Sequence, residues 1–187
     1  YNGNIVYNPI KDLTLSAVFS YIRDNMNRGY GETLSHISAL RDGLAGWSSV
    51  GAYTKMEKLM ELTAQYNKEI GAHKFSVLGG YSYNETDFEE LWIDNYGFQD
   101  DYFGGWHNIG IGSALKDGKA NIGSKKTPTN LIGFFGRATY SFKNRYLLMG
   151  ALRYEGASQL WGTDNAWGLF PSVSVGWRIT EEAFMKN

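Results

Sequence analysis

With 187 residues, 18 basic against 19 acidic side chains and a net charge of -1, the chain offers no electrostatic footing for nucleic acid. It has no cysteine, which removes disulfide frameworks, zinc–thiolate centres and cysteine nucleophiles from consideration. Mean hydropathy is -0.36 and no stretch approaches the roughly 18 apolar residues of a membrane helix, yet a transmembrane barrel keeps its mean hydropathy low by alternating lipid-facing and lumen-facing residues.

Period two, the strand period, dominates from the start of the chain. Residues 3–8 set Ile5 and Tyr7 on one face. Residues 13–23 set Leu13, Leu15, Ala17, Phe19 and Tyr21 against Thr14, Ser16 and Ser20. In residues 56–67, Met56, Met60, Leu62, Ala64 and Tyr66 oppose Glu57, Glu61, Thr63, Gln65 and Asn67. Residues 73–84 align Phe75, Val77, Gly79, Tyr81 and Tyr83, and residues 130–142 align Ile132, Phe134, Gly136, Ala138, Tyr140 and Phe142. Residues 146–154 carry Tyr146, Leu148, Gly150, Leu152 and Tyr154. Residues 167–179 carry Trp167, Leu169, Val173, Val175, Trp177 and Ile179.

The expectation is about seven strands, six of them near the roughly 9–11 residues that a tilted strand needs to cross a bilayer. Aromatics close both ends of the apolar faces while Leu, Val, Ala and Gly fill the middles, the pattern of aromatic girdles. Short links at 9–12, 68–72 and 143–145 alternate with long ones at 24–54, 85–129 and 155–166. That alternation predicts periplasmic turns and extracellular loops. Within the first long link, Leu34, Ile37, Leu40 and Leu44 predict a short helix over residues 32–45.

No G-x-S-x-G, HExxH or Walker A pattern occurs, and His36, His73 and His107 lack ligand spacing, so no enzyme, catalytic residue, cofactor or metal site is expected. The acidic residues Asp87, Glu89, Glu90, Asp94, Asp100 and Asp101 read as a solvated loop, with calcium as the alternative. Trp47, Trp92, Trp106 and Trp161 fall in the long links. Of these, Trp92, Trp106 and Trp161 are the candidates for binding, since exposed rings offer flat apolar faces to a sugar; the alternative is that they pack the loops. Arg137, Arg153 and Arg178 share the lumen-facing parity. Arg23 and Lys58 have lipid-side parity near the extracellular ends, where snorkelling or a lipopolysaccharide phosphate would accommodate them.

Residues 131–187 are the most specific stretch. Gly136-Arg137 with Tyr140-Ser141, then Asn144-Arg145-Tyr146-Leu147-Leu148, are followed by Arg153 with Gly156, Trp167-Gly168, Phe170-Pro171-Ser172 and Gly176-Trp177-Arg178. The close is Glu181-Glu182 with Phe184-Met185-Lys186. This combination resembles the SusC/RagA family of TonB-dependent outer-membrane transporters, a Bacteroidetes-like nutrient-uptake family; residues 1–130 match it in rhythm only. The chain departs from the family pattern at Tyr154-Glu155-Gly156-Ala157-Ser158, where a basic–acidic-Gly-Ser-Ser run is expected.

The resemblance implies a 22-stranded barrel with residues 1–187 as part of one barrel domain in the bacterial outer membrane. It further implies a plug and a TonB-contacting segment outside residues 1–187. A SusD-like lipoprotein lid and an oligosaccharide or peptide substrate come with it, and Trp92, Trp106 and Trp161 are then contacts to substrate or lid. Two other readings stay open: a small structural or adhesin-type barrel, and a soluble glycan-binding β-sandwich.

Overall fold

The computed structural model describes residues 1–37, 43, 46–101 and 105–185. Seven strands form one antiparallel sheet in chain order: β1 (Asn2–Ile10), β2 (Leu13–Glu32), β3 (Trp47–Ile70), β4 (His73–Tyr96), β5 (Asn121–Phe142), β6 (Tyr146–Ala157) and β7 (Trp167–Trp177). Every strand pairs with its sequence neighbour, so each connection is a hairpin.

The short links are tight turns, as expected. The β5–β6 turn is closed by the Arg145 N–H donating to Phe142 O at 2.9 Å, with Lys143 and Asn144 both at φ 54. Two successive residues at positive φ make the type I′ geometry, whose twist matches that of the flanking strands. Gly71 takes φ 60 in the β3–β4 turn, where the absent Cβ makes the conformation inexpensive.

The long links are shorter than expected. Strands β2 to β5 run 20, 24, 24 and 22 residues, so residues 24–32, 47–54, 85–96 and 121–129 are strand and not loop. The physical reason is that charged residues interleave with the aromatics on one face, as Glu90 and Asp94 do around Trp92, and the other face mixes polar with aliphatic residues, so the period-two hydrophobic signature is lost while the hydrogen-bond ladder needs no such alternation. Half of the helix expected over 32–45 falls on residues outside those described; Thr33–His36 form a turn, with the His36 N–H donating to Thr33 O at 3.0 Å. The seventh strand ends at Trp177, two residues early, and Ile179–Glu181 form a 3₁₀ turn.

The chain divides into two compact units. Unit 1 holds residues 1–22, 57–86 and 129–187, and unit 2 holds residues 23–56 and 87–128. Among the described residues, the only buried hydrophobic side chains are Phe98 and Ala114, both of unit 2. Unit 1 therefore has no apolar interior. Its hydrophobic residues stand outward instead: Val173 and Val175 are 77% and 78% exposed, and Phe19, Phe75, Val77, Phe134, Leu148, Leu152, Leu169 and Trp177 are exposed with them. A sandwich in water would bury such a face, each large side chain contributing roughly 1.5–3 kcal/mol.

Candidate functional site

In unit 1 the register sorts the side chains into two faces. Cross-strand partners on the apolar face are Tyr146 with Phe142 and Trp177, Leu148 with Tyr140 and Val175, Gly150 with Ala138 and Val173, and Tyr154 with Phe134 and Leu169. Aromatics gather at both ends of this face. At the turn end, Phe75 and Tyr140 lie 4.9 Å apart, His73 and Phe142 4.8 Å, and His73 Nδ1 shares a 2.8 Å hydrogen bond with the Tyr140 hydroxyl. At the other end, Tyr154 stacks on Trp167 at 4.8 Å and Tyr81 meets Phe134 at 5.3 Å. From Tyr146 to Tyr154 the strand advances about 26 Å, or about 20 Å along the barrel axis at a tilt near 40°, close to the apolar band of about 25 Å that girdles flank.

Lys58 and Glu85 share the parity of this face, and they pair with each other at 2.8 Å. The Tyr83 hydroxyl donates to Glu85 Oε2 at 3.2 Å. Lys58 thus has a partner within the sheet, where snorkelling or a lipid phosphate was expected. Arg23 donates from Nε to Asn25 Oδ1 at 3.3 Å.

The opposite face is polar. The Phe135 ring lies flat over Gly80, where an added Cβ would stand 2.3 Å from ring Cζ. The Arg153 guanidinium sits 5.7 Å from the Phe135 centroid and its Nε donates to Glu155 Oε1 at 3.1 Å. Arg137 is exposed and pairs in register with Ala151 on the same face. Arg178 lies one residue beyond β7, its N–H donating to Arg145 O at 2.8 Å.

The same sorting holds within unit 2. One face carries Tyr30 against Trp47 at 5.2 Å, Trp47 against Tyr96 at 6.5 Å, and Tyr53 against Phe88 at 5.4 Å. Arg28 folds down over Gly51, with Nε 2.7 Å from where a Cβ would be, and Trp92 folds down over Gly123, with Cζ2 2.2 Å from the corresponding point. Beside Trp92, Asn121 Nδ2 donates to Asp94 Oδ2 at 2.8 Å.

The other face of unit 2 holds Trp106, which lies against Gly29 and Gly31 from the 3₁₀ turn Gly105–Ile111. That turn and the short helix α1 (Ser113–Lys116) are pinned by Asn95, fully buried, whose Nδ2 donates to Ile109 O at 2.7 Å and Gly112 O at 3.0 Å. Successive strand residues alternate faces, so Arg28 and Gly29 assign Trp92 and Trp106 to opposite sides. Trp161, 70% exposed, stands in the β6–β7 link of unit 1. Within unit 2, Trp92 and Trp106 form no common surface, and Trp47 and Trp92 belong to strands rather than loops. Among the described residues no group of three acidic or histidine side chains is placed to hold a metal; Asp87 pairs with Lys126 at 2.9 Å, and Asp94 with Asn121.

Past β7 the chain is clasped by one carboxylate. Glu182 accepts from Arg145 Nη1 at 2.7 Å, the Tyr146 hydroxyl at 2.7 Å and Trp177 Nε1 at 3.1 Å. The Tyr146 hydroxyl first, then the Trp177 indole and the Arg145 guanidinium, hold its carboxyl below the usual carboxylate range.

Residues 1–184 match the family described as TonB dependent receptor-like, beta-barrel. The chain belongs to that family. The TonB-dependent receptor P26 of Formosa agariphila is 30% identical over 98% of this chain and 18% of its own length. The TonB-dependent receptor SusC of Bacteroides thetaiotaomicron is 32% identical over 76% of this chain and 13% of its own length. In fold, the chain superposes on one chain of the RagAB peptide transporter with a TM-score of 0.75 at 22% identity, over 100% of this chain and 20% of that one. The chain thus spans 13–20% of the length of these relatives.

As a TonB-dependent receptor-like barrel segment, the chain is antiparallel and all-β, as its period-two pattern predicted. Sequence reading missed the glycines at 51 and 123 as floors for flat-lying side chains, the Asp94–Asn121 pair, and the Glu182 clasp. The signal for the first was present: a glycine in one strand and a large aromatic in its neighbour, on matching parity, is how sheets seat a ring over bare backbone.

Proposed function

We propose that residues 1–187 form part of the wall of a TonB-dependent transporter in the outer membrane, importing an oligosaccharide or a peptide together with a SusD-like surface lipoprotein. The observation that carries this reading is the two-faced sheet of unit 1: an exposed apolar band closed by aromatics at both ends, backed by a polar face with Arg137 and Arg153. Lipid covers the first face and a polar passage runs along the second. Coupling to TonB belongs to other parts of the whole protein. The names of the relatives support the class: a SusC receptor and a RagAB peptide transporter.

The test uses the full-length protein and compares two arginines three residues apart on β6. Leu148→Arg puts a cation on the apolar face and is expected to cost about 2–4 kcal/mol near mid-bilayer, with heavy loss of heat-modifiable protein from the outer membrane. Ala151→Arg, on the face of Arg137 and directly across from it, is expected to be milder, with only the like-charge pair to accommodate. Equal loss from both would refute the assignment of faces. Co-purification of a surface lipoprotein with the full-length protein, and loss of uptake with assembly intact when that lipoprotein is removed, test the partner.

A further inference from the structure

The aromatic face of unit 2 has one position built differently from the rest. Trp92 is half-buried because its indole lies down on the backbone of Gly123, so one ring face is sealed by β5 and the other is turned away from the sheet. A valine or alanine at 123 would push the ring off, since the nearest indole atoms stand 2.2, 2.6 and 2.8 Å from a Cβ there. Two residues along β4, on the same face, Asp94 takes one hydrogen bond from Asn121 at 2.8 Å. That bond orients both groups and leaves the second Asp94 oxygen and the Asn121 side-chain carbonyl as acceptors for hydroxyl groups. Glu90 shares the parity on the other side of Trp92.

Taking the barrel reading above as given, we propose that Trp92 on its Gly123 floor, with the Asp94–Asn121 pair, is a subsite for a neutral sugar ring. A pyranose presents a flat patch of C–H bonds to the indole and hydroxyl donors at its rim, and an ordered carboxylate–amide pair accepts them. The sheet argues against a peptide at this place. Extended peptides gain affinity by adding main-chain hydrogen bonds to an open strand edge, and β4 lies between β3 and β5 with both of its edges paired. The carboxylates of Asp94 and Glu90 also disfavour acidic sugars by like-charge repulsion.

The experiment uses the full-length protein in detergent, with maltohexaose, cellohexaose and an uncharged apolar hexapeptide as probes, followed by titration calorimetry. At least one hexasaccharide is expected to bind. Trp92→Ala should weaken it tenfold or more, and Asp94→Asn, which keeps the shape but removes an anionic acceptor, threefold or more. Gly123→Val, which dislodges the ring and keeps the indole in the chain, should match Trp92→Ala, with heat-modifiable mobility reporting that each variant is assembled. Unchanged hexasaccharide affinity in Trp92→Ala and Asp94→Asn overturns the subsite. Binding of the hexapeptide alone, or of none of the three probes, overturns the choice of ligand class. Either failure leaves the barrel reading standing if Leu148→Arg and Ala151→Arg separate as predicted; their equal loss would remove that reading instead.

Discussion

Glycine facing an aromatic is the recurrent local device of this sheet. At Gly80 the constraint is twofold: a Cβ would meet Phe135 Cζ at 2.3 Å and the Leu62 carbonyl oxygen at 3.0 Å, so both a ring and a backbone atom stand in the way. Gly80→Val should therefore destabilise the full-length barrel by about 1–3 kcal/mol, the scale of overpacking, read as a lower urea midpoint. Gly79, its neighbour on the other face, has no atom within 4 Å of such a Cβ. Gly79→Ala should shift the midpoint little, and an equal loss at both positions would mean that glycine flexibility, not the Phe135 contact, is what matters.

Among the elements, the β5–β6 hairpin carries a conformational cost that sequence alone does not reveal. Lys143 and Asn144 both adopt φ 54, a region where asparagine is tolerated and lysine is not favoured. Replacing the pair by Asn-Gly, the preferred type I′ dipeptide, is expected to stabilise the hairpin by about 1 kcal/mol, the left-handed penalty relieved less glycine's entropy cost. A higher urea midpoint of the whole barrel, with no change of uptake, is the outcome that agrees with a structural turn. A lower midpoint would show that the Lys143 side chain, which lies 5.2 Å over Phe142, contributes more than the strain costs.

The Glu182 clasp ties the segment after β7 to the β5–β6 turn, and it titrates. Its carboxyl is held below the ordinary 4.5, so its contribution is complete above that value and is lost as pH falls through the lower folded value. Lowering pH from 7 toward 3 should lower the unfolding midpoint of the parent more than that of Glu182→Gln, which keeps the shape without the charge. Parallel pH profiles for the two proteins would show that the clasp has no electrostatic part.

At the scale of the whole molecule, β1 and β7 are the two edges of the sheet, each paired on one side. An unsatisfied backbone group in hydrocarbon costs several kcal/mol. Residues 1–187 expressed alone should therefore fail to give a heat-resistant monomer in detergent micelles; recovery of one would show that this sheet closes on itself.

What the sequence determined by itself was the architecture of unit 1. Period two with terminal aromatics is a property of each residue and its own face, so Tyr146, Leu148, Gly150, Leu152 and Tyr154 announce their face without knowledge of any partner. The tight turns were legible for the same reason, since turn residues act locally. Unit 2 was not legible. In strand residues 24–32, 47–54, 85–96 and 121–129 charged residues such as Arg28, Glu90 and Asp94 interleave with the aromatics on one face, and the other face mixes polar with aliphatic residues, so hydrophobic alternation does not mark them, and pairing with a neighbouring strand is what makes them strands.

The candidate site shows the same division. Composition identified Trp92, Trp106 and Trp161 as rings worth explaining, but not which would share a surface. That depended on strand register, a non-local property: it laid Trp92 over Gly123, put Trp106 over Gly29 and Gly31 on the reverse side, and brought Asp94 to Asn121 across 27 positions of chain. Tertiary structure decided these because a side chain's face is set by alternation along its strand, while its neighbours on that face are set by pairing between strands.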